Sequence, residues 1–236
     1  MARIAIIPAR GGSKRIPRKN IKPFLGVPAL LRVIDAARQS GVFDEIHVST
    51  DDEEIAELAG RAGCKPDFMR PPELSNDTAP IRSAASWALQ TYQARGQAFE
   101  TAALIYATAL LLRPEHLREA CAVFEASVDR APLLAVCEVG SPIERLFVED
   151  NGMLTAPDPD RFVKNSQLLR PALVDAGAFC FFDAEALRMD TDGARPLDFR
   201  PFKLPRWAGV DIDTPDDWQF AEHLYTAVDA QEGSNA

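Results

Sequence analysis

Between Pro8 and Asn20 the chain reads Pro-Ala-Arg-Gly-Gly-Ser-Lys-Arg-Ile-Pro-Arg-Lys-Asn. From Arg10 to Lys22 there are six Lys or Arg and no acid, in a protein of formal net charge -9. Positive charge concentrated against the overall balance needs an anionic partner. Gly11 and Gly12 allow backbone N–H groups to come close to a ligand, Ser13 adds a hydroxyl, and the cations neutralise it. That chemistry suits a polyphosphate. The spacing is neither GxGxxG nor GxxxxGK[ST], which disfavours an oxidoreductase dinucleotide fold and a P-loop.

A second group lies near the other end. Asp211 and Asp213 are two apart, and on a strand that spacing puts both carboxylates on one face. Paired hard oxygens with room for water and phosphate oxygens suit Mg2+. Asp213 has an alternative role as a base toward an attacking hydroxyl. Asp216 and Asp217 follow Thr214-Pro215 and read as the acidic first turn of a helix. His47, His116 and His223 fall in no motif and are read as structural or surface residues. Trp87, Trp207 and Trp218 are read as packing residues.

These groups need a scaffold. Residues 3–8 read as a buried first strand, and strands are also expected at 45–50, 102–108, 133–139 and 176–182, with a last short strand ending at 209–213. Helices are expected at 28–40, 52–62, 79–94, 114–126 and from Thr214 on, with a frayed tail over 230–236. The alternation predicts a mostly parallel sheet covered by helices on both faces. Ligands of such sheets sit at the carboxyl ends of the strands, where residues 8–22, 106–112 and 209–213 would converge. From 140 to 171 Pro142, Asn151-Gly152, Pro157 and Pro159 break the pattern, which reads as a hairpin-bearing excursion from a single domain over 1–236.

Composition excludes several classes. With 47% apolar and 26% charged residues the chain can bury a substantial core. No apolar run approaches the roughly 20 residues of a membrane span, and the N-terminus lacks a signal-peptide pattern. The expected location is therefore cytoplasmic. Cys64, Cys121, Cys137 and Cys180 lack CxxC spacing, which argues against a structural zinc site or a disulfide framework. The acidic balance argues against nucleic-acid binding.

The segment IPARGGSKRIPRKNIKPF, with LGVPAL after it, resembles the N-terminal signature of the sugar-acid cytidylyltransferases. This family includes the CMP-sialic acid synthetases and, closest in wording, the pseudaminic acid cytidylyltransferases. Phe43 to Asp52, Arg70-Pro71-Pro72-Glu73-Leu74 with Asn76-Asp77-Thr78, Ile105-Tyr106-Ala107-Thr108-Ala109, and Val210 to Trp218 are similar to four further family motifs, in order. The resemblance implies a Rossmann-like nucleotidyltransferase fold and transfer of CMP from CTP to a nine-carbon α-keto acid, releasing pyrophosphate. By similarity Arg10 and Lys19 stabilise the triphosphate, Ala9, Gly11, Gly12, Ser13 and Lys14 join them around it, and Asn20 and Arg70 hold cytosine and ribose. The resemblance puts Tyr106, Thr108, Arg145, Lys164, Gln167 and Asp175 on the sugar-acid side. It also implies a homodimer in which the 140–171 excursion reaches the partner's active site.

Departures from the family cluster on the sugar side. Leu110 stands where the family has proline, Asn165 where it has arginine, Val174 where it has histidine, Ala178 where it has glutamine and Cys180 where it has tyrosine. Loss of the arginine shifts carboxylate recognition to Lys164 or Arg145. The expectation is a retained nucleotide half with an altered sugar pocket, for a differently substituted or deoxy nonulosonic acid. Two alternatives stand beside it: a synthetase for Kdo or a similar eight-carbon acid, and a nucleotide-binding pseudoenzyme.

Overall fold

A computed structural model describes residues 1–165, 167, 169–194 and 196–234, with the side chains of 232–234 excluded. Ser166 and Leu168 of the 164–169 motif therefore lie outside the described residues, as do Asn235 and Ala236 of the expected tail. Six strands form the main sheet in the order β10-β6-β9-β5-β1-β4. They are β1 (Arg3–Pro8), β4 (Glu45–Ser49), β5 (Thr101–Ile105), β6 (Leu133–Glu138), β9 (Leu173–Asp183) and β10 (Arg200–Lys203). β1 pairs parallel with β4 and β5, and β10 with β6, while β9 runs antiparallel between β5 and β6.

The run Ile4-Ala5-Ile6-Ile7 is buried on both sides because its side chains alternate between two cores. Ala5 and Ile7 join the core that also contains Leu30 and Ile34 of α1 (Ala29–Ser40) and Leu117 of α4 (Pro114–Glu125). Ile4 and Ile6 join Ala88 and Leu89 of α3 (Ile81–Ala94) and Leu187 of α6 (Ala184–Met189). The sheet is therefore sandwiched between helices. Asp52 caps α2 (Glu53–Arg61) by accepting the Ile55 N–H at 3.1 Å.

After the basic segment a small hairpin, β2 (Pro23–Phe24) and β3 (Val27–Pro28), turns at Leu25 and Gly26, both at positive φ. Phe24 is fully buried, edge-on to Trp218 and Tyr225 of α7 (Pro215–Ser234) at 5.6 and 5.7 Å. This clamp fixes the far end of the basic loop to the segment carrying Asp211 and Asp213. Trp218 is thus a packing residue, as its surroundings in the sequence suggested.

Three expectations need correction. Residues 209–213 form no strand. β10 ends at Lys203, Leu204 still donates its N–H to Val136, and then Pro205 begins a short 3-10 turn. Proline cannot donate to the ladder, and Gly209 presses on Cys137 so closely that a Cβ would lie 2.3 Å from its Sγ. The chain passes the sheet without pairing. The alternation survives, with Ile212 buried and Asp211 exposed. Second, β5 stops at Ile105: the Tyr106 N–H still donates to the Ala178 carbonyl of β9 at 2.9 Å, but the Tyr106 carbonyl accepts the Ala109 N–H at 3.0 Å and the chain turns there. Third, the tail is helical through Ser234.

The expected hairpin in the excursion is present as β7 (Val148–Asp150) and β8 (Met153–Thr155), joined by Asn151-Gly152 at positive φ. That is the Asn-Gly pairing a two-residue hairpin turn favours. Residues 143–145 form a 3-10 turn ahead of the hairpin, and a short helix, α5 (Pro159–Phe162), follows it.

Candidate active site

A cleft of about 270 Å3 opens at the carboxyl ends of β1 and β5. Arg10, Ser13, Lys14, Lys19 and Asn20 line it from the basic loop, Arg70 from the segment after α2, and Tyr106 and Thr108 from the segment after β5. Eight of the residues singled out in the sequence are therefore neighbours.

The loop's shape comes from its own hydrogen bonds. Ala9 is buried and donates its N–H to the Ser49 carbonyl at 2.9 Å, which continues β1 against β4. Buried Asn20 donates its side-chain amide to the Arg10 carbonyl at 2.9 Å, closing the loop across its base. Arg18 sits at φ 55, where its carbonyl accepts the N–H groups of Ile21 and Lys22 and its guanidinium pairs with Asp52 and Glu54. These contacts hold a backbone region that a non-glycine residue seldom enters.

Gly11 and Gly12 differ. The Gly11 N–H donates to Asp51 Oδ1 at 3.3 Å, and a Cβ on Gly11 would meet Asp52 Oδ2 at 2.4 Å. A Cβ on Gly12 would meet nothing within 4 Å. Neither glycine lines the cleft wall. Gly11→Ala must displace Asp52, which both caps α2 and binds Arg18. The expected loss is about 1–3 kcal/mol in chemical denaturation, whereas Gly12→Ala stays within about 0.5 kcal/mol of wild type. Equal effects at the two positions would refute this steric assignment.

Arg70 is buried beneath the cleft floor. Its backbone N–H donates to the Thr50 carbonyl at 2.7 Å and its Nε to Ser75 Oγ at 3.1 Å. Its Nη2 faces Asp51 Oδ1 at 3.7 Å and has no hydrogen-bond partner. Burial holds the guanidinium below its ordinary pKa, against the opposing pull of Asp51. Asp51 thus ties Arg70 to the Gly11 amide.

The cations meet carboxylates, of which Asp213 alone was expected in the site from the sequence. Asp77 accepts both Arg10 and Lys14. Asp213 pairs with Arg15 at 2.7 Å and with Lys19 at 3.6 Å, while Lys19 Nζ also donates to the Ile212 carbonyl at 2.6 Å. Arg15, Asp51 and Asp77 are the additions. The available signal was position, since each lies inside a segment singled out for other reasons.

Asp211 and Asp213 lie beside the cleft and do not line it. Asp211 sits against Gly177, whose positive φ of 58° and missing Cβ make room for its carboxylate. Desolvation first, then Asp213, Asp175 and Asp217, push the Asp211 carboxyl above its ordinary pKa, with Lys19 opposing. Tyr106 spans the two regions: burial raises its hydroxyl pKa, and Cys180, Asp175 and Asp211 add to the effect. No group of three or more His, Cys, Asp or Glu able to hold a metal exists among the described residues. Asp211, with Asp213, Asp175 and Asp217 around it, fits Mg2+, which takes one or two carboxylates and completes its shell with water and phosphate oxygens; Asp213 would have to release Arg15 to join it.

Arg145, Lys164, Gln167 and Asp175 do not line the cleft. Arg145 donates to the Lys164 carbonyl at 2.7 Å and stacks over Phe162, both within the excursion. Asp175 accepts the Gly177 N–H at 2.9 Å. Among the departing positions, Ala178 and Cys180 are buried in β9 and Val174 is exposed. Burial pushes the Cys180 thiol up to about 12, so it behaves as an apolar filler.

A cation-lined cleft at the strand ends of a helix-covered sheet suits a nucleotidyltransferase, which must hold a nucleotide's phosphates there. The cytidylyltransferase family model matches residues 4–137. The chain belongs to the cytidylyltransferase family. Pseudaminic acid cytidylyltransferase of Campylobacter jejuni subsp. jejuni is 41% identical over 226 residues, covering 95% of this chain and 97% of that protein. CMP-N,N'-diacetyllegionaminic acid synthase of Legionella pneumophila subsp. pneumophila is 28% identical over 94% of this chain and 95% of its own. The solved CMP:2-keto-3-deoxy-manno-octonic acid synthetase complexed with CTP superposes with a TM-score of 0.72 at 17% identity, covering 98% of this chain and all of that one. That last likeness carries the fold alone.

Proposed function

We propose that this enzyme transfers CMP from CTP to a nonulosonic acid of the pseudaminic type, giving the CMP-sugar and pyrophosphate. The observation that carries the substrate class is 41% identity to a pseudaminic acid cytidylyltransferase along nearly the full length of both chains. The sugar's anomeric hydroxyl attacks the α-phosphorus, the bond to the bridging oxygen breaks, and pyrophosphate leaves. Such a reaction needs in-line placement and neutralised charge more than covalent chemistry.

In this reading Arg10, Lys14 and Lys19 hold the triphosphate, with Ser13 donating to it and Gly12 leaving the backbone accessible. Buried Arg70, with its unsatisfied Nη2 hydrogen, recognises the nucleoside together with Asn20. Asp211 and Asp213 would hold Mg2+, which when bound withdraws charge from the phosphate oxygens. Tyr106, Thr108 and Asp175 face the acceptor acid. The Kdo alternative has only fold likeness behind it, and family membership favours turnover over a pseudoenzyme.

The excursion is read as a dimerisation element. Ile143, Phe147, Val148, Met153 and Leu154 are each 49–70% exposed along it. Apolar side chains grouped this way mark a contact surface. A partner copy there would carry Arg145, Lys164 and Gln167 toward the other protomer's cleft. Four buried free cysteines suit a reducing compartment, and we place the enzyme in the cytoplasm.

Pyrophosphate release should be followed with CTP, Mg2+ and a panel of pseudaminic, legionaminic, N-acylneuraminic and eight-carbon acids. Turnover should be fastest with a pseudaminic-type acid. Preference for N-acylneuraminate would overturn the substrate class. Light scattering should find a dimer, and a fully active monomer would remove the shared-site reading.

A further inference from the structure

Asp77 is used by no step above, yet it holds two of the triphosphate's cations. One carboxylate oxygen lies 2.7 Å from Arg10 Nη1 and the other 2.5 Å from Lys14 Nζ. The turn that presents it is closed on itself. Asn76 Oδ1 accepts the Thr78 N–H at 2.9 Å, the Thr78 hydroxyl at 2.8 Å and the Ala79 N–H at 2.8 Å, and its Nδ2 donates to the Glu73 carbonyl at 2.8 Å. Asp77 therefore projects from a fixed backbone just ahead of α3, and its side chain can swing away without rearranging the turn.

We propose that Asp77 is an internal competitor of the triphosphate, occupying Arg10 and Lys14 in the empty enzyme, yielding them to CTP, and reclaiming them as pyrophosphate departs. The inference rests on the placement of the triphosphate at Arg10 and Lys14. Exposed ion pairs are weak and exchange readily. A triphosphate brings more charge and more acceptor oxygens to the same two cations, so the exchange runs forward on binding. Pyrophosphate lacks the nucleoside contacts at Arg70 and Asn20 and competes less well. The carboxylate lowers the affinity of both anions alike, so pyrophosphate, already the weaker ligand without the nucleoside contacts, is released more readily than from an uninterrupted run of cations.

Asp77→Asn preserves size and removes the charge. Calorimetry should measure CTP and inorganic pyrophosphate binding to wild type and variant at low salt, in EDTA and again with Mg2+. The variant should bind both anions about three- to tenfold more tightly in EDTA, by a similar factor for each, with the gain shrinking as salt rises. An Arg10→Ala background should remove most of that gain, since the competition then has lost one cation. Unchanged or weaker binding by Asp77→Asn, with wild type binding normally, would overturn the proposal alone. Weakening seen only with Mg2+ would make Asp77 a metal ligand and also overturn it. Wild type binding neither anion would sink the cleft assignment and the proposal with it.

Discussion

Asp211→Asn is expected to abolish turnover and to raise the melting temperature. The two effects have one cause. Desolvation and the neighbouring carboxylates hold the Asp211 carboxyl above its ordinary pKa. For an acid with a raised folded-state pKa, the fold binds the proton more tightly than the unfolded chain does. Its contribution to stability is then greatest at pH below the ordinary aspartate range and is lost as pH rises through the raised value. At neutral pH the ionised group is a liability to the fold. Asparagine has the same shape without the charge, so the fold gains.

The gain is small because Asp211 keeps one side in solvent. A rise of about 1–2 °C corresponds to roughly half a kcal/mol in a chain of this length. The loss in kcat should be about a thousandfold or more, equivalent to about 4 kcal/mol of transition-state stabilisation. CTP binding in EDTA should be unchanged or slightly tighter, as one negative charge near the phosphates is gone. Mg2+ affinity of the wild type should fall as pH drops through the raised carboxyl pKa, because the proton and the metal compete for the same oxygens. Thermal melts, steady-state kinetics and metal titration read these effects separately. A variant that melts lower, or that keeps wild-type kcat, would remove Asp211 from the metal pair.

The sequence exposed the basic half of this site more fully than the acidic half, for a physical reason. The cations from Arg10 to Lys22 are contiguous, so their charge is visible without knowing the fold. Their partners are not contiguous. Asp51, Asp77 and Asp213 reach the loop from three separate segments, and only folding brings them together. The order of buried strands was readable from apolar runs bounded by turn residues. Strand direction was not, since Ala176 to Phe182 is buried on both faces and looks the same whether it runs with or against its neighbours. The assignment of 209–213 to a strand failed because alternation alone does not supply a hydrogen-bonding edge. Gly209 and Pro205 were the signals against one.

Substituting Arg70 should raise the KM for CTP about a hundredfold, with a much smaller change in kcat. Its side chain is 5% exposed, it holds Ser75 and faces Asp51, and it retains a buried N–H with no acceptor. An unpaired buried donor is costly, and a polar group arriving in the cleft would satisfy it. A pyrimidine carbonyl or a ribose hydroxyl has the required acceptor. The interaction exists in the ground-state complex and persists through the reaction, so its loss acts on KM rather than on kcat. Arg70→Met preserves much of the buried stem, leaves Asp51 without its cation and removes all the donors. It should show the full KM effect with a moderate loss of stability. Arg70→Lys keeps the charge but cannot serve Ser75, Asp51 and the ligand in one plane, so it should recover only part of the affinity. Pyrophosphate binding is the control: it depends on Arg10 and Lys14, and it should be nearly the same in both variants. Equal weakening of CTP and pyrophosphate would instead make Arg70 a brace for the loop through Asp51 and the Gly11 amide, with no part in reading the nucleoside.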